Sequence, residues 1–156
     1  MILDKVIGNL NHYRMRPGER LETVDLSWEE TSKRRLRKIT AAGRDIGIIR
    51  TDVARFRDGD ILYAGDGIVI AIKLQEAEVL VAYPRNCREM GAVCYQLGNR
   101  HFPLMILADS VICPYDHTLV PVFDRLEINY RREKRRFQED DRQGEYQSPG
   151  HHHGHR

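Results

Sequence analysis

The segment Gly98-Asn99-Arg100-His101-Phe102-Pro103-Leu104 joins two different textures of sequence. Before it, Met90, Val93, Cys94 and Leu97 recur at helical spacing; after it, residues 103–107 form a continuous apolar run. Apolar residues three and four apart share one face of a helix, whereas a short unbroken apolar run between turn formers reads as a buried strand. The Gly98-Asn99 pair is expected to supply the left-handed residues that stop the helix. His101 then stands at a helix-to-strand joint.

Outward from that joint the second half of the chain falls into order. Residues 78–83 are a strand ended by Pro84, which cannot donate into a central ladder. Residues 110–113 are another short strand. Asp116-His117-Thr118 can cap a second helix whose buried face would be Leu119, Val120, Phe123 and Leu126, with Pro121 tolerated in its first turn. Glu127-Ile128-Asn129-Tyr130 begins a last strand. Strand, helix, strand, strand, helix, strand is the split βαβ order of a ferredoxin-like domain. One face of such a sheet is covered by the helices, and the bare face is available to a second copy.

The first half has only the shorter period. Residues 2–7 and 21–26 read as strands around Arg16-Pro17-Gly18, and the apolar runs flanking Ala41-Ala42-Gly43-Arg44-Asp45 read as a hairpin. Asp58-Gly59-Asp60 and Gly65-Asp66-Gly67 each introduce a further strand. Six short strands in about seventy residues make a compact all-β unit. The expected fold class is therefore α+β: an N-terminal β domain over residues 1–74, a ferredoxin-like βαββαβ domain over 75–137, and a flexible His-rich tail over 138–156, where apolar content is too low to fold.

Composition narrows the function. The 25 basic and 23 acidic residues nearly cancel, so no global field points to nucleic acid or a membrane surface. Cys87, Cys94 and Cys113 are odd in number and lack CxxC spacing, which argues against a disulfide framework or a zinc ribbon and for a reducing cytoplasm. No run approaches the roughly 20 apolar residues that span a bilayer, and the N-terminus lacks the order of a signal peptide. No nucleophile elbow, HExxH or phosphate-cradling loop marks an enzyme.

Histidines carry what chemistry the sequence offers. Neutral imidazole suits nickel, copper and zinc, but one histidine cannot hold an ion alone; two copies of His101 across a twofold axis could. The plainer reading of His101 is a capping or packing residue whose ring satisfies a nearby carbonyl. His151, His152, His153 and His155 lie with Gly150 and Gly154 in the last residues, where a Gly-hinged coil can wrap one divalent ion; the interruption by Gly154 sets them apart from a purification tag. His117 is expected to help start a helix, with metal binding as the alternative, and Cys87 and Cys94, seven apart, are expected to be buried and inert. Arg131-Arg132-Glu133-Lys134-Arg135-Arg136 leaves open a nucleic-acid or protein-binding adaptor, although Glu139-Asp140-Asp141 follows at once.

The run Cys94-Tyr95-Gln96-Leu97-Gly98-Asn99-Arg100-His101-Phe102-Pro103-Leu104, then Asp116-His117-Thr118-Leu119, then a basic stretch and a His-rich C-terminus, resembles the urease accessory metallochaperones known as UreE. That resemblance implies an N-terminal β domain akin to peptide-binding modules, a ferredoxin-like metal domain and a homodimer joined through it. It also implies that His101 and its symmetry mate bind nickel at the dimer interface, and that His151, His152, His153 and His155 supply further ligands. His117 matches a second histidine position that some members use for metal, and Tyr115 stands where such members can carry another histidine. The implied function is a cytoplasmic, non-enzymatic nickel metallochaperone delivering Ni(II) to the urease apoprotein together with other accessory proteins, including a GTPase. Zn(II) or Cu(II) is expected to bind in vitro; membrane and nucleic acid are not expected partners.

Overall fold

A computed structural model describes residues 1–139. The chain divides into two compact units: the first is Met1–Val79 with Arg132–Gln138, and Leu80–Arg131 with Glu139 forms the described part of the second. The architecture is α+β. Among the described residues no helix is long and apolar enough to cross a membrane.

The first unit is built from β1 (Ile2–Leu3), β2 (Gly8–Asn9), β3 (Arg20–Leu26), β4 (Arg35–Ile39), β5 (Asp45–Ile49), β6 (Asp60–Gly65) and β7 (Ile68–Leu74). They form two sheets, ordered β1-β5-β4 and β2-β6-β7-β3. Strand β7 lies between β6 and β3 and shows why the unit coheres. Its alternate residues Ile68, Ile70, Ile72 and Leu74 enter one core with Val24, Leu26, Ile46, Ile48 and Phe56, while Val69 and Ala71 face a second cluster with Ile61. A strand covered on both faces must be apolar at successive positions, which is why residues 68–72 read as an unbroken run. The β6–β7 connection is the two-residue turn Asp66-Gly67, with φ of 51° and 74°, the left-handed pair that matches strand twist.

Two buried polar features staple this unit. Glu22, 6% exposed, accepts hydrogen bonds from the Thr40 hydroxyl at 2.9 Å and from the Arg44 guanidinium at 3.0 and 3.1 Å. The Arg44 hydrogen bond holds its carboxyl below the usual glutamate range. Arg50, 5% exposed, stacks over Phe56 at 3.8 Å and donates to the Ala54 carbonyl, fixing the loop after β5. The returning segment is anchored here too: Phe137 meets Trp28 edge-on at 4.6 Å, and Gln138 accepts from the Asp58 amide at 3.0 Å.

In the second half β8 (Glu76–Tyr83), α1 (Cys87–Asn99), β9 (Met105–Ile106), β10 (Val111–Pro114), α2 (Val120–Arg125) and β11 (Asn129–Arg136) follow in order, with the sheet ordered β11-β8-β10-β9. Helix α1 begins where the N-cap Asn86 accepts from the Glu89 amide at 2.9 Å, and the Glu89 carboxylate accepts from the Arg85 amide at 2.7 Å, one residue before the cap. Its Val93 and Leu97 enter a core with Leu80, Leu104, Val111, Cys113, Leu119, Phe123 and Ile128. Asp116 caps a 3-10 turn (His117–Leu119) by accepting from the Thr118 amide at 2.8 Å, and that turn leads into α2 with Pro121 in its first turn. The strand expected over residues 103–107 shrinks to Met105–Ile106. Pro103 has no amide to pair, and Leu104 is apolar because it plugs the core rather than because it extends a ladder.

Because the folded carboxyl of Glu22 is depressed, its contribution is fully present above the unfolded value of about 4.3 and is lost as pH falls through the lower folded value. Urea unfolding of wild type and Glu22→Gln across pH 3 to 7 (roughly the carboxylate window) is expected to show a constant deficit for the variant near neutrality. The deficit shrinks in acid.

Candidate metal centre

The geometry around His101 starts with the end of α1. The His101 amide donates to the Gly98 carbonyl at 3.0 Å, and the Phe102 amide donates five residues back to the Leu97 carbonyl at 3.0 Å. Those two bonds are a Schellman closure, and the residue between helix and exit must be left-handed. That residue is His101, with φ of 58°. Gly98 and Asn99 lie inside the helix, so the expected stop is displaced by two to three residues. Phe102 and Leu97 pack in the same core, which supplies the hydrophobic contact that accompanies this cap.

A side chain in the left-handed region costs roughly 1–2 kcal/mol, and glycine is the usual occupant. Helix α2 ends in the same way, with Glu127 at φ 56° and the Ile128 amide donating to the Phe123 carbonyl at 3.1 Å. The closure is thus a structural habit of this unit, and strain alone does not single out His101. Both residues are exposed, and what sets His101 apart is its imidazole: the backbone is fixed by two hydrogen bonds while the ring makes no hydrogen bond among the described residues. The cap is made by main chain, not by the ring, so the ring is left for something outside.

His117 opens its 3-10 turn with the side chain 85% exposed and its Nδ1 4.0 Å from Asp116. Among the described residues no three His, Cys, Asp or Glu side chains gather at ion-binding distance, so His101 and His117 are not joined with other donors into one site within a single chain. The expected ligands His151, His152, His153 and His155 lie outside the described residues.

The cysteines divide differently from expectation. Cys113 is buried, and burial, reinforced by the Asp116 charge, pushes its thiol up to about 12, so it is inert. Cys94 is half-buried, but Cys87 is exposed, because it is the first residue of α1 and the core-facing stripe begins a turn later. The basic run on β11 is largely answered within the protein. Arg132 pairs with Glu78, Arg135 with Glu133 at 2.7 Å, Arg136 with Asp58 at 2.9 Å, and Arg131 lies over the Tyr83 ring at 5.9 Å. Charges spent in this way are not available as a strip for phosphates.

These features define a class first: a two-unit protein whose second unit presents an exposed histidine on a fixed backbone. The UreE urease accessory protein family matches the chain in two parts, its N-terminal domain over residues 3–75 and its C-terminal domain over residues 77–156. A urease accessory protein UreE of Halalkalibacterium halodurans is 34% identical over 155 residues, covering 99% of each chain. One from Acetivibrio thermocellus is 34% identical over 122 residues, 77% of this chain and 78% of that one, and one from Actinobacillus pleuropneumoniae is 31% identical over 130 residues, 81% and 68%. The chain belongs to the UreE family of urease accessory proteins, and it is an accessory protein rather than an enzyme.

Replacing His101 by Gly should leave the metal-free protein as stable as wild type or up to about 1 kcal/mol more stable, since glycine relieves the left-handed strain. His101→Val should be destabilising; thermal unfolding of both variants without metal checks the pair. Thiol titration of the native protein should label Cys87 rapidly and reach Cys113 only after unfolding.

Proposed function

We propose that this chain is a nickel metallochaperone that carries Ni(II) to the urease apoprotein in the cytoplasm, as a homodimer working with the other urease accessory proteins, including a GTPase. The single observation that carries the reading is His101: an exposed imidazole held on a doubly hydrogen-bonded left-handed backbone, within a chain of the UreE family. We propose the boundaries 1–74, 75–137 and 138–156 for an N-terminal β domain akin to peptide-binding modules, a ferredoxin-like metal domain and a flexible tail. The sheet order β11-β8-β10-β9, with one helix between the first and second strands and one between the third and fourth, supports the ferredoxin-like assignment.

One imidazole is too few for a divalent ion, so the site needs a second chain. In the proposed dimer His101 of each protomer supplies one ligand to a shared nickel. His151, His152, His153 and His155 complete the coordination from the tail, with His117 as an auxiliary ligand. Nickel is cargo here, and its transfer is ligand exchange: the tail withdraws, the two fixed histidines hold the ion weakly, and a partner's ligands take it. The affinity order of divalent ions puts copper above nickel, so Cu(II) and Zn(II) also bind in vitro and selectivity comes from cellular supply and from the partner. Imidazole binds metal only when neutral, so nickel leaves as the solution becomes acid enough to protonate histidines, a range near about 6.5 for unperturbed imidazole.

Equilibrium dialysis against nickel tests this with wild type, His101→Ala, a chain ending at Gly150, and the combination of the two. Removing the tail should lower the number of ions bound while leaving the shared site, and adding His101→Ala should abolish what remains. If the tail-less His101→Ala protein binds nickel as its tail-less parent does, the shared site is wrong.

A further inference from the structure

The outer face of the sheet β1-β5-β4 is apolar, open and unused by the nickel chemistry. Ile2 and Ile49 are 72% and 45% exposed there, and a groove of about 570 Å³ runs over β5, lined also by residues of β1 and β4. Its floor is Gly47, which stands opposite Ile2 in the β1–β5 register and opposite Arg37 in the β5–β4 register. A glycine in the interior of a strand weakens the strand and marks a place where something approaches closely. Nothing inside the unit demands it. A Cβ on Gly47 would meet only the Ile2 side chain at 3.8 Å and the Met1 carbonyl at 4.0 Å, both ordinary contacts, and its φ is not left-handed. The room above Gly47 is therefore not required by the packing of this unit.

The charged side chains of the groove are Arg35, Arg37 and Asp45. Residues 33–38 read Lys-Arg-Arg-Leu-Arg-Lys. Arg37 is paired with Asp45 and Lys38 with Glu30, but Arg34 and Arg35 make no ion pair or side-chain hydrogen bond among the described residues. Arg35 lines the groove and, opposite Ile49, places a guanidinium beside an exposed isoleucine. This is the reverse of the basic run on β11, where the charges are answered.

We propose that this face is a docking site for an acidic segment of a partner protein, which seats one large apolar side chain over Gly47, beside Ile2 and Ile49, and sets a carboxylate against Arg35. The apolar seat is what favours a protein over a phosphate polyanion: a nucleic-acid backbone would gain from the arginines but nothing from exposed isoleucines flanking a glycine floor. Guanidinium forks match carboxylates in two-point fashion, so the charge and the shape select the same kind of partner. The surface lies wholly in the first unit and does not depend on the nickel reading.

The test uses the full chain without metal and a fluorescein-labelled peptide, Asp-Glu-Glu-Leu-Glu-Glu-Asp, followed by anisotropy. A second peptide with Ser in place of Leu keeps the charge and removes the anchor. The Leu peptide should bind saturably, at least ten-fold more tightly than the Ser peptide. Binding should fall ten-fold or more in Gly47→Phe, which fills the groove, and in Arg35→Glu, and should be unchanged in His101→Ala. Thermal unfolding monitors the variants, and Ile49→Asp replaces Gly47→Phe should the latter not fold. Equal binding of the two peptides, indifference to the groove variants, or absence of binding would each overturn the proposal. So would an oligothymidylate that binds more tightly than the Leu peptide and is lost in the same variants.

Discussion

The hydrogen bond from the Phe102 amide to the Leu97 carbonyl, with its companion from His101 to Gly98, is the constraint on which the second unit turns. It ends α1, drives Phe102 back toward Leu97 in the core, and leaves one residue in a conformation that a side chain adopts at a cost. That residue is the histidine. Because main chain satisfies the cap, the imidazole neither packs nor caps, and an exposed ring on a fixed backbone suits the proposed ligand role, its position being set beforehand. The proposed division of labour gives fixed histidines the placing of the ion and leaves its exchange to His151, His152, His153 and His155, which lie outside the described residues.

Much of this was legible in the sequence because the two periodicities are clean. Val93 and Leu97 fall one helical turn apart, and residues 68–72 are apolar because β7 is covered on both faces, so these elements could be read directly, whereas the strand expected over residues 2–7 is only Ile2–Leu3 and β2 (Gly8–Asn9) was not expected. What was not legible depends on hydrogen bonds that close over several residues. Gly98 and Asn99 are the residues most prone to the left-handed conformation, yet packing of Phe102 on Leu97 carries the helix past them and assigns that conformation to His101. Propensity lost to a tertiary contact. Likewise Cys87 has the right spacing to share a face with Cys94 but sits at the helix start, ahead of the stripe that meets the core.

Charge shows the same limit. Two basic runs of similar composition, residues 33–38 and 131–136, have different fates: the second is largely paired within the protein, and the first leaves Arg35 without an ion pair among the described residues, beside a groove. Composition cannot distinguish them, since the distinction lies in which carboxylates fold back upon each. The sequence drew attention to the run on β11; the proposed docking surface lies instead on β4 and β5. A salt bridge to a neighbour on the same surface contributes little to stability, but it removes a cation from the set open to a partner.

The central claim is that one nickel ion is shared by His101 of two chains. Its most direct measurement is the stoichiometry of nickel to protein in the chain ending at Gly150, taken together with the mass of the metal-loaded species by sedimentation. The account predicts one tightly held ion for every two chains, in a dimer, and none for His101→Ala. One ion per chain, or a loaded monomer, would contradict it.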